Sequence, residues 1–290
     1  MSEVRVLRRI ADELSRASGS LEDPKEASAL WAAVSGMKPA EVWLKRETEP
    51  APDVVKQFWK AVEQRKQGLP FAYTVGRVGF RTLDLAIDPR ALIPRPETEG
   101  LVELVLRHGK GETGNGKGGL AADIGTGSSC IALSLAVEGD FERIVAVERS
   151  PAAAGLAREN VERIAPKTPV EIREGNLLGP LVDKGERGVY RVIVANPPYL
   201  TEREFNELDR SVREFEPREA LVSGSTGLDA TRGLFAGAAM LLQRGGLLAL
   251  EIDERRADAV RALGRDYGWD VAIHNDMYGY PRYALSIKEG

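Results

Sequence analysis

The sequence predicts an α/β protein: a doubly wound, mostly parallel sheet with its ligand at the carboxyl ends of the strands, preceded by a small helical bundle and a β-hairpin. Three observations carry this. Apolar residues recur at helical spacing through residues 1–70, short β-branched runs alternate with helical segments from Leu120 onward, and those runs end on glycine, acidic or Asn-Pro-Pro turns. Strand–helix alternation is the pattern of parallel sheets, whose ligands sit where the strands end.

A chain of 290 residues is long for one domain and short for three, so two domains are expected. The expected division is a helical domain over 1–70, a connecting β-hairpin over 71–90 and the α/β domain over 91–290. In the first part the helical spacing is Val4-Leu7-Ile10-Leu14 and then Ala29-Leu30-Ala33-Val34. Asp23 before Pro24 marks one helix start. Pro50 and Pro52 bracket another, running through Val54, Phe58, Val62 and Gln67, and Gly68 and Pro70 close the segment. No catalytic constellation falls here, which leaves two readings open: partner recognition, or support of the second domain.

From Phe71 to Ile87 the pattern is strand-like, with Tyr73-Val75, Val78-Phe80 and the alternating Leu83-Leu85-Ile87 separated by Gly76, Gly79 and polar residues. Next comes Leu92-Ile93-Pro94-Arg95-Pro96-Glu97-Thr98-Glu99. Pro96 suits a first helical position and the carboxylates suit the positive end of the helix dipole, so a helix is expected from Glu97 to about Arg107. Arg95, Glu97 and Glu99 either begin that helix or also act beside a ligand. Six glycines from Gly109 to Gly119 read as a flexible surface loop, without the Lys-Ser/Thr of a phosphate loop.

Leu120-Ala121-Ala122-Asp123-Ile124 reads as a strand, Gly125-Thr126-Gly127-Ser128-Ser129 as a turn that lets a ligand approach the backbone, and Cys130 to about Val137 as a helix. A G-x-G turn alone is shared by many nucleotide binders, and Cys130 stands where the dinucleotide fingerprint has its third glycine. The next strand, Arg143-Ile144-Val145-Ala146-Val147, ends on Glu148, placed to accept both hydroxyls of a ribose or simply to be a strand-end charge. The third strand, Val170 to Glu174, delivers Gly175-Asn176-Leu177, where Asn176 can bond an adenine and Leu177 cover it.

The fourth strand, Val192-Ile193-Val194-Ala195, is broken by Asn196-Pro197-Pro198-Tyr199. Two prolines forbid a continued ladder and stiffen the turn. Asn196 Oδ1 and the Pro197 carbonyl can each accept one hydrogen of a planar NH2 group, with Tyr199 packed against its plane. The alternative on these residues alone is a proline-rich loop after a strand.

Composition limits the remaining classes. Apolar residues at 43% and charged at 29% are ordinary, and no apolar run approaches membrane-spanning length. Without an apolar signal core, and with Glu3, Asp12 and Glu13 near the start, a cytoplasmic protein is expected. Cys130 is the only cysteine, and His108 and His274 are the only histidines, so neither a disulfide nor a metal site is expected. A net charge of -4, from 40 basic and 44 acidic residues, gives no footprint for stable nucleic-acid binding.

Taken together, the Asp123-to-Gly127 turn, Glu148 and Asn196-Pro197-Pro198-Tyr199 resemble a class I S-adenosylmethionine-dependent methyltransferase that modifies amino groups. With Leu92 to Glu99, Phe215-Glu216-Pro217-x-x-Ala220-Leu221, Gly224-x-x-Gly227-Leu228-Asp229, Glu251-Ile252 and Asp276-x-x-Gly279-x-x-Arg282, the chain resembles the HemK/PrmC family of peptide chain release factor N5-glutamine methyltransferases. The match runs from about Pro70 to Arg282. The resemblance implies S-adenosyl-L-methionine as cofactor, held by Asp123, Gly125, Thr126, Gly127, Ser128, Ser129, Glu148, Asn176, Leu177 and Asn196. It also implies a glutamine substrate held by Asn196, Pro197, Pro198 and Tyr199, with Asn196, Pro197 and Tyr199 as the catalytic group. Glu216 and Asp276 are expected to fix loops. Release factors carrying a Gly-Gly-Gln loop are the implied partners, met by a monomer. Ser129, Asn176, Leu177 and Asp253 depart from the residues usual in the family, as does Glu148, which keeps the carboxylate.

Four other readings use the same residues: a ribosomal-protein glutamine methyltransferase, an adenine-N6 nucleic-acid methyltransferase, a dehydrogenase, and a non-catalytic scaffold that binds the cofactor. Charge and the Ile93-to-Glu99 stretch favour a protein substrate over a nucleic acid. Cys130 disfavours the dehydrogenase, and the substrate corner would have no task in a scaffold.

Overall fold

The computed structural model describes residues 9–110 and 118–289. Val4 and Leu7 of the first expected helix, and most of the glycine-rich stretch, lie outside the described residues. The chain divides into two compact units, Met1–Gly76 with Arg210–Phe215, and Arg77–Asp209 with Glu216–Gly290.

In the first unit the helices Ile10–Ser18, Glu26–Ser35, Pro39–Lys45 and Pro52–Lys66 bury one apolar face each. Trp31 meets Phe58 edge to face at 4.9 Å between centroids, an arrangement the ring quadrupoles favour. The Trp59 indole N–H donates to Glu13 at 2.7 Å. The stretch expected as the strand Tyr73-Val75 is instead the short helix Phe71–Val75, closed by Gly76 at φ +72 in the left-handed region. Pro70 before it and a glycine after it are helix punctuation, and a five-residue segment is too short for its aromatic and β-branched residues to override that. Two-strand pairing therefore begins only at Arg77, and the hairpin belongs to the second unit.

That hairpin is β1 (Arg77–Phe80) paired antiparallel with β2 (Leu83–Ala86). Arg81 at its turn has φ +50 and is held by Glu138 at 2.7 Å and Glu103 at 3.1 Å. The main sheet consists of β3 (Leu120–Ile124), β4 (Arg143–Glu148), β5 (Val170–Glu174), β6 (Tyr190–Ala195), β7 (Leu242–Glu251), β8 (Ala272–Asn275) and β9 (Pro281–Ile287). Its order is β5-β4-β3-β6-β7-β9-β8. Neighbours from β5 through β7 run parallel, whereas β9 is antiparallel to β7 and to β8.

Successive side chains on a strand face opposite ways. Ala121, Ile144, Val192 and Leu247 accordingly enter one core layer, with Leu101, Val105 and Leu133 from the helices Pro96–Lys110 and Cys130–Glu138. Ala122, Val145, Ile193 and Leu248 enter the other, with Leu234, Phe235 and Leu263 from the helices Asp229–Leu241 and Ala257–Asp266. Because both faces are covered, the central strands run apolar through their middles, and the polar groups of the crevice come where they end. The strand order reverses between β3 and β6, which opens the crevice that holds the site. The helix beginning at Pro96 keeps its expected start and extends to Lys110.

Candidate active site

A cavity of about 420 Å³ lies at the carboxyl ends of β3 to β6 and is lined by residues of the second unit. It begins at the turn after β3. Gly125 at φ +75 and Gly127 at φ +52 occupy backbone that disfavours a side chain. A Cβ on Gly125 would meet no protein atom within 4 Å, so the space above it is open to a ligand. The Gly125 and Thr126 N–H groups both donate to the Val147 carbonyl, at 2.8 and 3.0 Å, clamping the turn to the end of β4.

Beneath this turn Asp123 is fully buried. Its Oδ2 accepts from the Thr126 hydroxyl at 2.5 Å and the Ala132 N–H at 3.1 Å, while Oδ1 has no hydrogen-bond partner among the described residues. Burial, with a smaller contribution from the charge of Glu148, pushes its carboxyl up to about 7. Asp123 and the buried Ser129 shape the turn without lining the cavity; Gly125, Thr126, Gly127 and Ser128 do line it. Ser129 holds φ +65 at the start of its helix.

Glu148 ends β4 and lines the cavity. Its Oε2 accepts from the Gly127 N–H at 3.0 Å and its Oε1 from the Ser150 N–H at 2.9 Å. Each carboxylate oxygen offers two lone-pair sites, so both retain capacity toward the cavity. Asn176 and Leu177 also line it. Leu177 holds φ +46, and its side chain lies over Gly233, where a Cβ would come within 2.5 Å of Leu177 Cδ1.

The opposite wall is the corner after β6. Asn196, Pro197 and Pro198 line the cavity. Tyr199 does not: its N–H donates to the Leu221 carbonyl at 3.1 Å, and burial pushes its phenol up. Asn196 Nδ2 donates to Thr98 Oγ1 at 3.1 Å, and Thr98 Oγ1 donates to Glu251 Oε2 at 2.7 Å. Among the described residues neither Asn196 Oδ1 nor the Pro197 carbonyl accepts a hydrogen bond.

In the sequence Thr98 and Glu251 stand only as parts of longer motifs, with no task legible there. A signal for Glu251 was present, since it follows the apolar run Leu247 to Leu250 as Glu148 follows Val145 to Val147. Glu216 does hold a loop. Its oxygens accept from the Ile93 N–H at 3.1 Å and pair with Arg95 at 2.7 Å, fixing the cavity wall formed by Leu92 to Arg95. Asp276 accepts from the Tyr278 and Tyr280 N–H groups at 2.9 and 3.0 Å. Pro217, Glu219, Ala220, and Val222 to Gly224 also line the cavity; Pro217, Ala220 and Gly224 stand in motifs the sequence shows, whereas nothing local marks the others as site residues. Among the described residues no cluster of metal-ligating side chains occurs.

The geometry suits an adenosyl ligand carrying a positive charge. Open backbone lies at Gly125, and a carboxylate with spare lone pairs at Glu148.

Comparison with known proteins agrees. Residues 5–76 match the PrmC N-terminal domain and residues 104–214 the Methyltransferase small domain. The release factor glutamine methyltransferase of Moorella thermoacetica is 39% identical over 270 residues, covering 92% of this chain and 90% of the relative. That of Deinococcus radiodurans is 34% identical over 265 residues, 91% of each. Among solved structures, a methyltransferase from Pyrococcus furiosus superposes with a TM-score of 0.53 at 20% identity, over 72% of this chain and 91% of that one, and shares its fold. With such identity sustained over nearly the whole length of both sequences, this chain belongs to the release factor glutamine methyltransferase family.

Proposed function

We propose that this protein transfers a methyl group from S-adenosyl-L-methionine to the side-chain amide nitrogen of the glutamine in the Gly-Gly-Gln loop of peptide chain release factors. One observation carries the reading: two acceptors of cavity-lining residues, Asn196 Oδ1 and the Pro197 carbonyl, take no hydrogen bond from any described residue, and the other wall of that cavity is the glycine turn and Glu148. Two adjacent acceptors match the two hydrogens of a primary amide.

When bound, the cofactor would supply a methyl group activated by a sulfonium and leave as the neutral thioether, with one proton lost from the amide nitrogen. Gly125 to Ser128 would hold its methionine part, Glu148 its ribose hydroxyls, and Asn176 with Leu177 its adenine. An amide nitrogen is a poor nucleophile because its lone pair is delocalised into the carbonyl. By accepting both N–H bonds, Asn196 and Pro197 raise electron density on that nitrogen and fix its direction of approach. Holding reactants at near-attack geometry contributes up to about 7–11 kcal/mol, and dipoles already oriented before reaction need no reorganisation during it. Pro197 and Pro198 make the corner rigid enough for this.

The helical unit is assigned recognition of the release factor, with Trp43 and Leu44 exposed on the helix Pro39–Lys45. No helix among the described residues is long and apolar enough to cross a membrane.

The test is mass spectrometry of an unmethylated release factor after incubation with the protein and S-adenosylmethionine. One added methyl on the Gly-Gly-Gln glutamine is expected, with Asn196→Ala losing most of the turnover and little cofactor affinity. An unmodified glutamine, or full turnover in the variant, refutes the assignment.

A further inference from the structure

We propose that Thr98 and Glu251 form a buried two-link support that turns the Asn196 amide so that Oδ1, not Nδ2, faces the cavity, making both of them positioning residues for methyl transfer. The inference rests on the reading of Asn196 as the acceptor of a substrate N–H.

An asparagine amide has nearly the same shape in either orientation, and only its hydrogen-bond partners distinguish the two. The wrong orientation would present a donor where the substrate NH2 needs an acceptor. The orientation is decided by a count of protons. Thr98 has one hydroxyl proton and lies between Asn196 at 3.1 Å and Glu251 at 2.7 Å. An ionised carboxylate only accepts, so the hydroxyl proton must point to Glu251. The Thr98 oxygen then offers Asn196 nothing but lone pairs, and Nδ2 must turn inward. Thr98 and Glu251 are each only 2% exposed, so bulk water cannot substitute for either link.

Three elements lock the support. Glu251 is the last residue of β7 and pairs with Tyr283 on β9. The Tyr283 hydroxyl donates to the Glu97 carbonyl at 2.7 Å, in the first helical turn that carries Thr98. A Cβ on Gly100 would lie 2.1 Å from that hydroxyl, so the glycine leaves room for the bond. The turn bearing Thr98 is thereby fastened to the strand that flanks Glu251.

The proton count holds only while Glu251 is ionised. A protonated Glu251 can donate to Thr98, freeing the hydroxyl proton to turn toward Asn196 and admitting the flipped amide. The groups around it are Arg282 and Tyr283 on β9, Arg95 and Glu97 at the start of the helix Pro96–Lys110, Tyr199 after β6, and Cys130 beyond the glycine turn. Burial raises the Glu251 carboxyl to about 7, opposed by the Thr98 hydrogen bond and the two arginines and assisted by Glu97. Turnover should therefore rise with pH through neutrality.

The experiment combines turnover on an unmethylated release factor with nuclear magnetic resonance of the Asn196 side-chain amide in the full chain, its signals identified by their loss in Asn196→Ala. In the wild type, one Nδ2 proton is expected to be protected from exchange. Thr98→Val should abolish that protection and lower kcat by about tenfold or more, with cofactor affinity unchanged; Thr98→Ser should restore both. Glu251→Gln, whose amide can donate to Thr98 as the protonated acid can, should hold turnover at the lowered level of the acid limb and lose its pH dependence between about pH 6 and 8. Unchanged protection or turnover within twofold of wild type in Thr98→Val overturns the proposal, as does failure of Thr98→Ser to rescue. Should Thr98→Val not fold, a pH profile in Glu251→Gln identical to wild type overturns it independently. If the wild type methylates no release factor while Asn196 protection still depends on Thr98, the substrate reading fails and the support stands.

Discussion

Glu148 Oε2 accepts the Gly127 N–H at 3.0 Å, so the carboxylate at the end of β4 and the glycine turn after β3 form one rigid edge. The bond fixes the carboxylate's direction while leaving lone pairs for a ligand. It also requires the chain to fold back at Gly127, whose φ of +52 is disfavoured by any side chain.

Replacing this carboxylate should therefore affect cofactor binding before anything else. Glu148→Ala is expected to weaken S-adenosylmethionine binding by about tenfold or more, the scale of losing charge-assisted hydrogen bonds. Glu148→Gln should lie between the variant and wild type. Isothermal titration calorimetry decides this; unchanged affinity in Glu148→Ala would remove Glu148 from the ribose site.

Gly100 is predicted to be intolerant of even one carbon. Gly100→Ala drives a Cβ against the Tyr283 hydroxyl, whose hydrogen bond to Glu97 resists displacement. Overpacking of this kind costs about 1–3 kcal/mol. The denaturation midpoint should fall accordingly, and Tyr283→Phe in the same chain should recover part of the loss. A midpoint equal to wild type would mean that the first turn of the helix yields freely.

The buried Asp123 sets a dependence of stability on pH. Its carboxyl is raised from an ordinary value of 3.8 to about 7, so the native protein keeps this proton where the unfolded chain has released it. Its effect on stability is most favourable below that range and declines as pH rises through it, levelling above about 7. Glu251, raised to about 7, acts in the same direction, whereas His108, lowered by burial, opposes it. Asp123→Asn should therefore gain stability relative to wild type between about pH 5 and 8. Urea titrations at both pH values measure this, and parallel pH profiles for the two proteins would show that Asp123 does not keep its proton.

The parts legible in the sequence were those settled within a few residues. The glycine turn, Glu148 and the Asn196 corner each end a buried strand, where polarity appears abruptly because both sheet faces are covered. Phe71–Val75 fits either period, with two aromatic and two β-branched side chains among five residues, and it is the punctuation by Pro70 and Gly76 that selects the helix. Which residues of a motif face the ligand was also not local. Asp123, Ser129 and Tyr199 belong to the right motifs, yet their places in the fold keep them off the cavity lining.

By itself the sequence determined the fold class, which residues end the strands and the chemical character of those groups, since these follow from periodicity and from what glycine, proline and carboxylates permit; the order of the strands in the sheet, with β6 beside β3, came from the structure. Tertiary structure alone decided how those groups are aimed. Thr98 and Glu251 are 153 residues apart in the chain and 2.7 Å apart in space. The orientation of Asn196 depends on that one contact, because a hydrogen bond is directional and short-ranged, and no local pattern encodes which distant side chain will complete it.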